Sequence, residues 1–296
     1  MGSDGRLEPA AMKVTNKADL PKGLYNLLAH NTYNKHGAKF DLSATTLIDA
    51  MQPKRLFKEH WREIEEDCLD KLWSVFGTAI HAMLEEANAN DPDIVCEKRF
   101  IHEIGGKVIS AQIDVYDSSP DRKVLSDLKV TSAWKWVAKD FAAYEAQLNI
   151  QAALARMSGW EVNGLEVWMI CRDFSKARSR EDNYPNIPIQ IIELPLWSQE
   201  KALEYINARI ELHTGEEMVA CTDKDRWATE ESFAVMRKGK KRAMRVLPSK
   251  DKALRYAAAQ NLTASQFSIE HRPAVYTRCE NFCSVAKWCP QHNATT

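Results

Sequence analysis

The chain has 296 residues, 45% of them hydrophobic and 27% charged, with a formal net charge of −1. That length can bury a substantial core, while near-neutrality means that any nucleic-acid partner must be met by local patches rather than by a whole-molecule field. No run of eighteen apolar residues occurs, so no membrane-spanning helix is expected. The opening MGSDGRLEPAAMKV lacks a basic segment followed by an apolar one. It is expected to be a leader, with Met12 the natural start, and not a secretory signal. Residues 1–42 are accordingly taken as leader and entry segment.

From there the elements follow in chain order. SATTLIDAM opens like a helix, with Ser43 in the capping position. LWSVFGTAIHAMLEEAN is strongly periodic: Leu72, Val75, Phe76, Ala79, Ile80, Met83, Leu84 and Ala87 fall at spacings of three and four, one apolar stripe on a helix. IVCEKRFIHEIGGKVISAQIDVYDSS predicts a strand, a Gly-Gly turn and a second strand. In that second arm Ile109, Ala111, Ile113 and Val115 share one face, and Gln112 and Asp114 the other. A third strand, KVLSDLKVTSAW, leads into one long helix, WKWVAKDFAAYEAQLNIQAALARMSG. GLEVWMICRDF and IPIQIIELPLW read as further strands, and SQEKALEYINARIELHTGEE as a helix. This order predicts an α/β core around a central mixed sheet flanked by helices, over residues 43–215. Residues 216–296 have few long apolar runs and form a C-terminal extension containing the cysteine cluster.

The third strand carries the chemistry. Alternation puts Asp127 and Lys129 on one face, about 7 Å apart between Cα atoms. If the neighbouring strand presents Asp114 beside them, two carboxylates and an ammonium converge. Close carboxylates repel unless a proton or cation neutralises them, and a hard divalent ion with oxygen ligands, Mg²⁺ or Mn²⁺, does so naturally. Lys129 would then stabilise charge on a phosphate under attack.

An Asp in a strand (AQIDVY), then a D-x-K at the next strand (LSDLK), then a helix, resembles the PD-(D/E)XK nuclease superfamily. Two further marks resemble its RecB-like branch, which includes phage-type recombination exonucleases: a histidine on the preceding helix, in GTAIH, and a glutamine on the following one, in QLNIQ. The resemblance covers residues 43 to 195. It implies a restriction-endonuclease-like core and a metal-dependent deoxyribonuclease, an exonuclease acting in recombination, repair or phage DNA processing. It also implies a cytoplasmic setting in a bacterium or phage-infected host, and DNA and a recombination or annealing protein as partners. By the same resemblance His81, Asp114 and Asp127 are metal ligands; Asp114, Asp127, Lys129 and Gln147 are catalytic, with Gln147 holding the lysine, the phosphate or a water. Gln151 stands where the branch has tyrosine, and Tyr144 is a substitute for it. Gly77 is expected to leave room for His81. Glu97 is a candidate for the outer metal shell. The alternative reading is a non-catalytic nucleic-acid-binding accessory protein of the same fold.

Seven cysteines with no export signal imply a reducing interior. Cys279, Cys283 and Cys289 crowd into the C-terminus as C-x3-C-x5-C, where clustering favours metal over disulfides. Thiolates suit an iron–sulfur cluster or Zn²⁺. The resemblance implies a staple of one early cysteine and three late ones, but Gln52 occupies the early position. The fourth ligand is left among Cys221, Cys68 and His292, or the site is empty. Finally, Arg237, Lys238, Lys240, Lys241 and Arg242 make the best patch for tracking DNA phosphates, with a solvated hairpin turn as the alternative. Trp134 and Trp136 are candidates for stacking on unpaired bases, with packing as the alternative for both.

Overall fold

The computed structural model describes residues 13–30 and 39–294; the expected leader falls on residues 1–12, outside them. The elements in chain order are β1 (Lys13–Thr15), α1 (Lys22–Ala29), β2 (Leu42–Ser43), α2 (Ala44–Ile48), α3 (Met51–His60), β3 (Glu65–Asp67), α4 (Leu72–Asn88), β4 (Ile94–Cys96), β5 (Arg99–Ile104), β6 (Lys107–Gln112), β7 (Val115–Asp117) and β8 (Val124–Thr131). They continue with α5 (Ala133–Ala138), α6 (Ala142–Met157), β9 (Gly164–Cys171), β10 (Ile189–Leu194), α7 (Gln199–Thr214), β11 (Ser232–Arg237), β12 (Ala243–Leu247), α8 (Lys250–Ala259), β13 (Phe267–Arg272), α9 (Thr277–Asn281) and α10 (Pro290–Asn293).

Contacts divide the chain into two compact units. One comprises the chain up to Asp49 together with Arg62–Glu217; the other comprises Ala50–Trp61 and everything from Met218 onward. The contacts put the boundary after Glu217, join the described residues before 43 to the core, and move one segment out of it. The α3 segment goes with the extension, where Met51, Gln52 and Leu56 are buried.

The first unit is a mixed α/β core. Its main sheet has the order β10-β9-β8-β7-β4, with β8 and β9 parallel and the other pairs antiparallel. A smaller sheet, β2-β6-β5, is the β5–β6 hairpin with β2 added along β6. As a central strand β8 is buried from Val124 to Leu128, which is why it reads as an apolar run. Behind it α6 is buried on every side from Ala146 to Ala155. Four of those ten residues are alanines, so neighbouring helices and strands approach it closely.

Ser43 caps α2 as expected, accepting the Thr46 N–H at 3.1 Å. Three expectations need correction. The long helix after β8 is two helices, α5 and α6. Lys139, in the left-handed region at φ 53°, ends the first, and its N–H bonds back to the Trp136 carbonyl. Next, α4 forms where the periodicity puts it but buries no residue. Leu72, Phe76 and Met83 of the apolar stripe are exposed, while Val75, Ile80, His81 and Leu84 are half-buried. The helix presents the 80/81/84 side inward, turned from the centre of the hydrophobic stripe. Third, the single second arm of the hairpin is two strands, β6 and β7, in different sheets.

The second unit holds a three-stranded sheet, β12-β11-β13, on which α8 packs through Ala253 and Ala257 against Val235. Weak apolar patterning hid these strands, since most outward positions are polar.

Candidate active site

The site grows from a bend in the hairpin. The register of β5 with β6 sets Arg99 opposite Gln112, and that of β4 with β7 sets Cys96 opposite Val115. The pairing is one continuous ladder that crosses from the small sheet to the main one. At the crossing the Glu97 N–H donates to the Asp114 carbonyl (3.0 Å) and the Ile113 N–H to the Lys98 carbonyl (2.9 Å). Glu97 takes φ 54°, a left-handed conformation uncommon outside glycine. The bend thus places two acids, Glu97 and Asp114, opposite each other where the ribbon changes sheets.

β7 pairs with β8 only as far as Val115 and Ser126, leaving the next stretch of β8 edge open. Asp114 fills that opening, its carboxylate accepting the Leu128 N–H at 2.7 Å. Continuing the register by one residue sets Asp114 opposite Asp127. On β8, Asp127 pairs with Lys129 (Oδ2 to Nζ 2.6 Å) and accepts a hydrogen bond from Gln147 Nε2 of α6 at 2.8 Å. From α4, His81 brings Nδ1 to 3.0 Å from Glu97 Oε1 and 3.8 Å from Asp114 Oδ1. His81, Glu97 and Asp114 each offer one ligand atom, all within 4.8 Å of one another. Gln112 donates to Glu97 and accepts from Arg99. Gln151 donates to the Gln112 carbonyl at 2.7 Å, tying α6 to the bend.

The electrostatics follow from burial and crowding. Burial, and then the negative charge of Asp127, pushes the Asp114 carboxyl up to about 7. The hydrogen bond to Glu97 raises the His81 imidazole above its ordinary value against the effect of burial. Burial works to raise Glu97 too, but its hydrogen bonds from His81 and Gln112 hold it below the usual range. Lys129 is half-buried, and its desolvation favours the neutral amine; the carboxylates of Asp127 and Asp114 outweigh this and keep the ammonium charged. Chemically, this is an acidic pocket whose own cation is committed to Asp127. A divalent ion at His81, Glu97 and Asp114 would relieve the remaining repulsion, and oxygen with imidazole suits Mg²⁺ or Mn²⁺.

The structure brings His81, Asp114, Asp127, Lys129 and Gln147 together. Within that group Asp127 faces Lys129 and Gln147, while Glu97, expected only at the periphery, completes the metal-sized cluster in its place. Gln147 is buried on Asp127, not on the lysine. Tyr144 lies under Lys129, its ring centroid 5.9 Å from Nζ. A Cβ built on Gly77 would meet no atom within 4 Å, so packing does not demand glycine there. A bend at a non-glycine residue leaves no trace in the alternation of EKRF, so the sequence alone gives Glu97 only a peripheral place.

Other candidates lie elsewhere. Arg237, Lys238, Lys240, Lys241 and Arg242 are exposed at the β11–β12 turn. Trp134 is exposed, with the Arg178 guanidinium 5.2 Å from its ring, while Trp136 packs on the core. Cys279, Cys283 and Cys289 line one cavity of the second unit together with Cys221, Gln52 and His292. Cys68 belongs to the first unit, buried with its thiol 3.7 Å from Asn16 Oδ1. Burial pushes the Cys221 thiol up to about 12. Among the described residues no helix is long and apolar enough to cross a membrane.

No protein-family model matches the chain, and no curated protein matches it. Among solved structures it is similar to the crystal structure of SSO0001, at 15% identity and a TM-score of 0.46, over 69% of this chain and 89% of that one. It is also similar to a structure from Eubacterium rectale named "Putative exonuclease", at 14% identity and a TM-score of 0.31, over 61% of this chain and 71% of that one.

Proposed function

We propose that this protein is a Mg²⁺- or Mn²⁺-dependent DNA nuclease, an exonuclease that hydrolyses phosphodiester bonds in recombination, repair or phage DNA processing. The observation that carries the reading is the convergence of His81, Glu97 and Asp114 beside buried Asp127 and its half-buried partner Lys129. Those first three residues would hold the cation, with Asp127 at the adjoining edge. When bound, such an ion supplies positive charge for the phosphate and eases deprotonation of water.

The chain's own groups account for the rest. The Lys129 ammonium, kept charged by Asp127 and Asp114, is aimed to neutralise charge gathering on the phosphate oxygens. Gln147 fixes the rotamer of Asp127, and Tyr144 walls the lysine. Asp114, pushed up to about 7, exchanges a proton near neutrality and yields it when a cation arrives. Arg237, Lys238, Lys240, Lys241 and Arg242 are proposed to hold the DNA backbone without regard to sequence.

The test is degradation of linear and circular DNA with Mg²⁺, Mn²⁺ or chelator. Linear DNA should be degraded only with metal, circular DNA spared, and Lys129→Ala slowed by about a hundredfold or more. Equal degradation by wild type and Lys129→Ala would end the proposal. Metal-independent retention of DNA without cleavage would instead support an accessory binding protein.

A further inference from the structure

Two exposed tryptophans of the first unit flank the end of β8, each with an arginine on its ring. Trp73, at the start of α4, is 51% exposed and has the Arg172 guanidinium 4.5 Å from its ring centroid. Trp134, on α5, is 60% exposed, with Arg178 at 5.2 Å. Half or more of each residue stays in solvent, and the cation on the ring orients the indole without covering it.

Both arginines come from the segment that follows β9, and that segment is braced. The Arg172 N–H donates to the Thr131 carbonyl at the end of β8 (2.9 Å). Asp173 holds the start of α5, accepting the Ser132 hydroxyl and the Ala133 N–H, each at 2.6 Å. The Tyr184 hydroxyl accepts the Ser175 N–H (2.9 Å) and donates to the Asp173 carbonyl (3.2 Å). Its ring lies 4.4 Å from the Arg178 guanidinium, which also donates to Glu181. Arg178 is thus fixed by two rings and a carboxylate, and tryptophans supported in this way are preorganised surfaces.

Short routes join both rings to the acidic pocket. Trp73, Gly77 and His81 follow at intervals of four, one row about 12 Å long on α4. Gly77 is the low point of that row, where an added Cβ would meet no atom within 4 Å. Glycine weakens a helix interior, and what it provides here is open space between the indole and the pocket histidine. On the other side the Tyr144 ring links Lys129 to Lys135, its centroid 5.9 and 5.2 Å from the two ammonium nitrogens. Lys135 is the neighbour of Trp134 on α5.

The chemistry of this margin names its occupant. Residues 172–180 carry Arg172, Lys176, Arg178 and Arg180 against one acid, Asp173, whose carboxylate is engaged at α5. Basic side chains beside open indole faces suit a ligand that is anionic and aromatic at every residue, which an unpaired nucleic-acid strand is. In a duplex the base faces are already stacked on one another.

We propose that Trp73 and Trp134 are stacking posts that receive the unpaired bases of a DNA end beside the acidic pocket, so that the site takes single strands or frayed ends in preference to intact duplex. The choice of DNA rests on the nuclease reading; the posts are tested by binding in chelator, where no metal-dependent cleavage occurs. Full-length protein should bind a labelled single-stranded oligonucleotide more tightly than a blunt duplex or an abasic strand of equal length. Trp73→Ala and Trp134→Ala should each weaken binding of the single strand by about tenfold, the contribution of one stacked base. Ultraviolet cross-linking of an iodouracil-containing strand to wild type needs no variant to fold, and should map to the peptides holding Trp73 and Trp134. A preference for blunt duplex, equal binding of the abasic strand, strand binding unchanged in both variants, or cross-links confined to other peptides would each overturn the posts, leaving the tryptophans to a protein partner. If the binding results hold while Mg²⁺ and Mn²⁺ support no cleavage, the posts stand and the nuclease reading fails.

Discussion

Two helices deliver side chains to the acidic pocket, and they are built in opposite ways. α6 brings Gln147 from the middle of ten consecutive buried residues; α4 brings His81 while burying none. The stronger hydrophobic period belongs to α4, so periodicity measures the tendency to form an amphipathic helix and not how deeply that helix is covered. Functionally, the Asp127–Gln147 half of the pocket is set by close packing. The His81 half is set by polar contacts to Glu97 and Asp114, and so by whatever charge the pocket holds.

The comparison breaks first on stability. Leu148→Ala in α6 should cost about 2–5 kcal/mol, the usual penalty for a large buried side chain that leaves a cavity. Met83→Ala in α4 should stay within about 0.5 kcal/mol. Urea denaturation of both variants checks this, and equal losses would mean that α4 is buried after all.

A smaller effect separates the two polar groups. Gln147→Ala strips the hydrogen bond from buried Asp127 and should cost about 1–3 kcal/mol whether or not divalent metal is present. His81→Ala should cost the metal-free protein less than Gln147→Ala does, since His81 is only half-buried, but abolish any rise in Tm on adding Mn²⁺. Melting curves with chelator and with Mn²⁺ distinguish the two.

The last effect is in pH. Asp114 and His81 both have raised values in the folded chain, so each contributes stability at low pH that is lost as pH rises through its folded value. In chelator, stability should therefore fall from pH 5.5 to pH 8, by on the order of 1–2 kcal/mol. Asp114→Asn should flatten most of that slope. A wild-type stability that rises over the same window would contradict the electrostatic account.

How much of this was legible depends on the range of the cause. Alternation along β8 put Asp127 and Lys129 on one face, and the hairpin pattern put Asp114 in the adjacent strand. Both rest on local geometry, and both side chains lie in the pocket. What escaped reading was set by contacts distant in sequence or by unusual backbone. Lys139 and Glu97 adopt left-handed conformations without being glycine, and neither interruption shows in the residue pattern. α4 is rotated by what it packs on, not by its own stripe. Cys221 is drawn to the late cysteines by Gln291, seventy residues away. The small sheet of the second unit hides behind polar outward faces.

The hairpin is held at two points along its length. At the tip Gly105, at φ 59°, comes close to α7: a Cβ there would lie 2.7 Å from Asn207 Oδ1. At the other end is the bend at Glu97. The ribbon is therefore a gauge block between a scaffold helix and the two acids: its length decides where the carboxylates come to rest. Residues inserted into its arms would push the acids out of alignment with β8 even though every side chain of the pocket remained.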